Sequence, residues 1–325
     1  MIRTSASSIK TLNTCSFQFW YQNILRANMF LSPKTTIGEI AHTIFECLAK
    51  EKRKGLVNKL LMEKSPNIFL TKLLGRFART LLKKHKLNMD EWKKDLNFLV
   101  INGLKDDFYQ EGAIEFFKPE YEFWIKLPTL ECRGFIDRAA KYPPNDKYPK
   151  GYIVVRDFKS QKEKFTDEEL SFNIQASIYA WALFRETELP VIVEFVLLRH
   201  GCRQIVDWPG EENLKGIVSY LEYISAYIQD FNLEKAKSNF AADDPNKSWL
   251  CAKYVRYQGQ LKKNGEEMFC CYARFPKKLY MVLKEGGKEI KYTTDDPSKI
   301  KEDDWPNVKE LDHGGCPRFH PENYE

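Results

Sequence analysis

The sequence predicts a mixed α/β fold: a mixed central sheet flanked by helices, with a helical N-terminal region and a cysteine-containing C-terminal extension. Three observations carry this expectation. Apolar residues recur at helical spacing through the first third of the chain. From Gly112, short β-rich runs separated by turn residues take over. Those runs then alternate with further helical stretches, the order of an α/β core.

Taken in order, Thr36–Leu48 places Ile37, Ile40, Ala41, Ile44, Phe45 and Leu48 on one helical face. Leu56–Leu87 continues helical with a break at Ser65-Pro66-Asn67, and Asp90–Phe98 gives another helix. Ala113–Phe117, Glu120–Ile125, Leu130–Arg138 and Gly151–Phe158 read as strands. Lys118-Pro119, Leu127-Pro128 and the loop from Lys141 to Asp146 divide them. Glu168–Arg185 returns to helix, with Ile174, Ile178, Tyr179 and Ala182 on a face. Val191–Arg199 is rich in β-branched residues and reads as a strand that Gln204–Trp208 is expected to join, before a helix at Leu214–Phe231. Residues 243–325 are polar, aromatic and turn-rich, and hold four of the eight cysteines. The expected divisions are 1–111, helical; 112–242, the core; and 243–325, the extension.

Composition narrows the class. Apolar residues make up 43% of the 325 and aromatics 14%, enough for a sizeable core, which excludes a wholly disordered chain. No apolar run approaches the roughly 18 residues of a membrane span, and Met1–Ser5 opens without the apolar region of a secretory signal. An intracellular protein is expected. Eight cysteines are too few for a disulfide scaffold of this length, so they read as thiols, metal ligands or core residues. Cys47, Cys132 and Cys202 fall in regular elements and read as core. The net charge of +6 hides a concentration: Lys50–Lys86 holds twelve Lys/Arg and two Glu. Such a stretch suits an anionic partner or a solvated helix face.

Chemistry points to the strand ends. Asp137 ends one strand, and Asp157-x-Lys159 ends the next. If these pair, the two carboxylates become neighbours, and alternation puts Asp157 and Lys159 on one face. Two carboxylates and a lysine suit Mg²⁺ or Mn²⁺, hard ions that prefer oxygen, with a water nucleophile. The lysine then orients or deprotonates the water, or stabilises charge on a phosphate.

The ordered set is more specific. Gly38-x3-His42-x3-Glu46 comes first, then Gly134-x-x-Asp137, Asp157-x-Lys159 and Gln175-x3-Tyr179. This series resembles the RecB-like exonuclease branch of the PD-(D/E)XK nuclease superfamily, which includes AddB-type and CRISPR-adaptation iron–sulfur nucleases. The resemblance runs from about Ser5 to Leu198. It implies a restriction-endonuclease-like core, with His42, Asp137, Asp157 and the backbone carbonyl of Phe158 holding the metal. Lys159 would be the catalytic lysine. Gln175 and Tyr179 would support the site and contact DNA, and Glu46 would support His42.

The run from Ser5 through Cys15 to Tyr21 also resembles the family's serine-led first helix. In the iron–sulfur subset that cysteine joins three C-terminal ones around a [4Fe–4S] cluster. The candidates here are Cys15, Cys251, one of Cys270 and Cys271, and Cys316, with Cys251 to Cys316 more widely spaced than usual. Zinc held by Cys270, Cys271 or Cys316 with His313 or His320 is an alternative, and so are plain thiols.

The activity implied is metal-dependent hydrolysis of DNA phosphodiesters, on single-stranded or free-ended DNA, in recombination, repair or phage DNA processing. The location implied is cytoplasmic or nucleoid-associated. No G-x4-G-K-[ST] motif is present, so any helicase or recombination partner is separate. Lys52, Arg53, Lys54, Lys72, Arg76, Arg79, Lys83 and Lys84 are candidates to track phosphates. The alternative is a non-catalytic DNA-binding or assembly subunit of a helicase–nuclease complex that retains the fold.

Overall fold

The computed structural model describes residues 2–26, 33–50, 53–127, 130–244, 276–287, 290–294 and 296–325. The chain divides into two compact units. The first is built from residues 31–223, and the second from residues 2–30 together with 224–325.

In the second unit Ser5 caps the helix α1 (Ala6–Thr14), its side chain accepting from the Ser8 N–H. The short helix α2 (Ser16–Phe19) follows. The Ser16 hydroxyl donates to the carbonyls of Ala236 and Asn239, at 2.8 and 2.7 Å. The later part of this unit is a three-stranded antiparallel sheet whose central strand is Pro276–Leu283, flanked by Ile290–Thr294 and Val308–Gly314.

The first unit contains the helices α3 (Pro33–Leu48), α4 (Lys54–Leu61), α5 (Lys72–Lys84) and α6 (Met89–Lys105). The break between α4 and α5 includes the expected Pro66. Asn88 caps α6, which runs further than its periodicity suggested because Leu99, Val100, Leu104 and Gly103 keep a buried face. Ile37, Ile40, Ile44, Leu48, Leu74, Leu82, Leu96 and Leu99 form the centre of the core here, each almost fully removed from water. Burying side chains of this size contributes about 1.5–3 kcal/mol each.

The expected strand Ala113–Phe117 contracts to β1 (Glu115–Phe116). β2 (Tyr121–Lys126) and β3 (Leu130–Ile136) form an antiparallel hairpin in which Tyr121 pairs with Ile136. The run read as one strand to Arg138 is broken at Asp137, and β4 (Arg138–Tyr142) joins a different sheet. That sheet is mixed and five-stranded, in the order β1, β4, β5 (Tyr152–Lys159), β6 (Val191–Leu197) and β7 (Cys202–Val206). β5 and β6 are parallel, joined through the short helix α7 (Asp167–Ser171) and α8 (Ile174–Thr187); the other pairs are antiparallel.

Alternation along β5 decides the site. Phe158 turns to the helical core and stacks on Phe45, ring centroids 4.4 Å apart. Arg156 is buried on the same side, its Nε donating to Glu194 Oε2 at 2.6 Å, and it also bonds the Asp107 carbonyl. Asp157 and Lys159 therefore turn to the opposite side, toward α8. Cys132 is buried as expected, but Cys47 and Cys202 are only half-buried. Among the described residues no helix is long and apolar enough to cross a membrane.

Candidate active site

The expected active-site residues come from three elements and one bend. His42 lies on α3, Asp137 at the bend between β3 and β4, and Asp157 and Lys159 on β5. Gln175 and Tyr179 stand one turn apart on α8. Two contacts tie Asp137 down through one oxygen: the Phe158 N–H donates to Oδ2 at 2.7 Å, and His42 Nδ1 lies 3.3 Å from it. Asp157 is almost wholly buried, with Oδ2 at 2.6 Å from Lys159 Nζ. Its Oδ1 accepts from Gln175 Nε2 at 3.0 Å and from the Tyr179 hydroxyl at 3.2 Å. Gln175 closes the ring, because its Oε1 accepts from Lys159 Nζ at 2.8 Å.

Gly134 belongs to this arrangement. A Cβ there would lie 2.3 Å from the Phe123 ring, so its absence lets that ring lie across the hairpin. Phe123 meets Tyr179 edge to face at 5.7 Å, and the Tyr179 hydroxyl reaches the Phe135 carbonyl at 3.0 Å.

The sequence reading missed Glu120. Since Tyr121 pairs with Ile136, Glu120 comes opposite Asp137, and its N–H donates to the Asp137 carbonyl at 3.3 Å. It holds φ +53°, a strained value for a residue with a side chain. Among the described residues, His42, Glu120 and Asp137 form the group of three potential ligands whose atoms lie within 4.8 Å of one another. Registering Glu120–Ile125 against the Gly134-x-x-Asp137 strand would have found it.

The charges strain against burial. Burial pushes the His42 imidazole down, but the charge of Asp137, its hydrogen bond and the charge of Asp157 outweigh that and raise it to about 9. Burial pushes Glu120 up to about 7, helped by Asp137. Asp157 is raised by burial, with Lys159 opposing. Burial also lifts Tyr179 well above its ordinary value, so it stays a neutral donor.

His42, Glu120 and Asp137 border a cleft of about 850 Å³. One stripe of α3 lines it with Lys34, Gly38, His42 and the exposed Glu46; Glu120, Asp137, Phe158, Lys159, Lys162 and Arg199 line the rest. One imidazole and two carboxylates, with further carboxylate charge from Asp157 behind them, is a donor set that fits Mg²⁺ or Mn²⁺.

Cys251, Cys270 and Cys271 lie outside the described residues. Cys15 and Cys316 are both buried in the second unit. Lys52 is also outside the described residues. Lys72, Arg76, Arg79 and Lys83 stand exposed on one face of α5, with Leu74, Ala78, Leu81 and Leu82 buried on the other.

The family model of the PD-(D/E)XK nuclease superfamily matches residues 3–253, and the chain belongs to that superfamily. It is thus a phosphodiesterase, and nucleic acid is its substrate. Among solved structures it is similar to a "Putative exonuclease" from Eubacterium rectale, 14% identical, over 80% of this chain and 89% of that one, with a TM-score of 0.38. It is also similar to SSO0001, 18% identical, over 63% of this chain and 97% of that one, with a TM-score of 0.27. No curated protein matches.

Proposed function

We propose that the chain is a RecB-like, metal-dependent DNA exonuclease acting on single-stranded or free-ended DNA. The observation that carries this reading is the Lys159 ammonium, fixed between Asp157 Oδ2 and Gln175 Oε1 beside the His42, Glu120 and Asp137 ligand set. His42, Glu120 and Asp137 would hold Mg²⁺ or Mn²⁺, with Asp157 and the Phe158 carbonyl on the adjoining strand. A divalent cation bound there supplies a Lewis acid for the phosphate and lowers the pKa of water.

The chain's own groups do the rest. The Lys159 ammonium donates to developing negative charge, and Gln175 keeps it from collapsing fully onto Asp157. Tyr179 donates to Asp157 Oδ1 and holds that carboxylate in one orientation. The Phe158 N–H does the same for Asp137. The exposed face of α5 suits a phosphate track.

The preference for single strands is supported by the outer face of the β2–β3 hairpin. Trp124 and Phe135 are exposed there, with the Arg133 guanidinium 5.0 Å from each ring, a surface on which bases can stack. The functional core is assigned to 112–242, with 1–111 supplying His42. For 243–325 we propose a cysteine cluster using Cys15, supported by the burial of Cys15 and Cys316 in one unit. Iron content and absorbance of anaerobically purified protein test it.

The decisive assay is end-labelled single-stranded DNA with Mn²⁺, using the wild type beside Lys159→Ala. Shortening from an end by the wild type alone is expected. DNA binding by both without cleavage by either would instead favour the assembly-subunit reading, with no catalytic role for Lys159.

A further inference from the structure

The cleft is electrically divided. His42, Glu120 and Asp137 stand at one end, while Lys34, Lys162 and Arg199 also line it. Lys34 and His42 lie on the same stripe of α3, eight residues apart, or about 12 Å along the helix axis. Gly38 lies between them. A Cβ there would come within 2.4 Å of Ser160 Oγ, so the glycine lets the segment after β5 close onto α3. Two bonds fix that segment: Arg199 Nε donates to the Ser160 carbonyl at 3.0 Å, and His200 Nε2 lies 2.7 Å from the Lys162 carbonyl.

The result is two ammonium groups brought side by side. Each is a pure donor, so neither can satisfy the other. The charge of Lys162 accordingly holds Lys34 below the ordinary lysine range, with Arg199 adding to the effect. Asp95 lies 3.6 Å from Arg199 Nη2, and Glu39 also lines the cleft. Fixed cations facing a cleft and repelling one another describe a place for an oxyanion with several acceptor oxygens.

We propose that Lys34, Lys162 and Arg199 form a phosphate subsite that holds the nucleic acid strand at a second point, away from the scissile linkage. This rests on the nuclease reading. About 12 Å corresponds to roughly three nucleotide steps at the 3.4 Å rise of a helical strand, and fewer in an extended one. The subsite therefore takes a phosphate two or three linkages from the cut, either internal to the strand or carried at its end.

The test uses binding, so that it does not depend on catalysis. Anisotropy of short labelled single strands is measured in EDTA across a salt series, for wild type, Lys34→Gln/Lys162→Gln and the control Lys150→Gln/Lys215→Gln, neither residue of which lines the cleft. All four lysines are exposed. Two lost phosphate contacts should lower the slope of log K against log salt by about 1.4, while the control keeps the wild-type slope. Strands ending in a 5′-phosphate, a 3′-phosphate or neither distinguish the two sources. If the variant's deficit appears only with a terminal phosphate, the subsite reads an end; if it appears with all strands, it holds an internal linkage. An unchanged slope in Lys34→Gln/Lys162→Gln overturns the subsite, even if the wild type cuts DNA with Mn²⁺. A wild type that neither binds nor cuts overturns the nuclease reading and the subsite together.

Discussion

Gln175 accepts from the Lys159 ammonium through Oε1 at 2.8 Å while its Nε2 donates to Asp157 Oδ1 at 3.0 Å. One amide thus sets the position of the cation and of its counter-charge. Gln175→Ala should lower kcat roughly 10- to 100-fold, the cost of a small misplacement of reacting groups. DNA binding in EDTA should hardly change. A variant with wild-type kcat would show that Lys159 is positioned by other means.

Asp157 should destabilise the metal-free protein. Burial raises its folded-state pKa above the unfolded value. Its ionisation therefore costs stability as pH rises past the ordinary carboxylate range. Asp157→Asn should melt higher than wild type in EDTA at pH 8 and be inactive. Lys159→Ala strands the buried carboxylate and should lose about 2–4 kcal/mol. Adding Asp157→Asn to Lys159→Ala should recover most of that loss. Thermal unfolding of the four proteins checks the cycle.

Glu120 follows the same sign. Its folded-state pKa of about 7 exceeds the unfolded value of 4.5, so the penalty grows as pH rises from 4.5 to about 7 and is complete above that. Glu120→Gln should be more stable than wild type by about 1–2 kcal/mol at pH 8.5 in EDTA, discounted for partial exposure, with little difference at pH 5. Mn²⁺ should then stabilise the variant less than the wild type. Equal Mn²⁺ protection of both would remove Glu120 from the ligand set.

Metal binding should release protons. His42 is raised to about 9 in the metal-free protein, so below that pH a cation must displace its proton. Apparent Mn²⁺ affinity should rise up to tenfold per pH unit between 7 and 9, and more steeply below 7, where Glu120 also holds a proton. Calorimetry in buffers of different ionisation enthalpy measures the release; a buffer-independent heat would contradict it.

Burial pushes the Cys132 thiol up to about 12. At pH 8 its thiolate fraction is roughly one in ten thousand. Among the cysteines of the described residues, iodoacetamide should label the half-buried Cys47 and Cys202 first, and Cys132 only on unfolding, as peptide mass mapping would show.

The site was legible where chemistry follows chain order. The spacing from Gly38 to Glu46 is a helical stripe, and Asp157 with Lys159 is a strand alternation; both periods are local. Glu120 was not legible by that route. It is one carboxylate after Pro119, and only the pairing of Tyr121 with Ile136 carries it to Asp137. The break at Asp137 was missed for a related reason. Leu130–Arg138 has continuous strand composition, and what splits it is a change of pairing partner, from β2 to β5. Buried Arg156 is similar: its character comes from Glu194 on the neighbouring strand and Asp107 in the turn after α6, which only the folded chain brings to it.

The second unit draws on residues 2–30 and on 224–325. On a ribosome, Ser16 must wait for Ala236 and Asn239, and the Leu25 carbonyl for Thr293. At about 5–20 residues per second that delay is roughly 10 to 50 s. All of the first unit is synthesised within the interval and can fold before Ser16 and Leu25 meet these partners. Phe17, Phe19 and Tyr21, buried in the finished protein, lack their ring partners Phe240, Phe231 and His313 meanwhile. A nascent chain halted before residue 236 should therefore present this segment to chaperones and proteases while its nuclease unit is already protected.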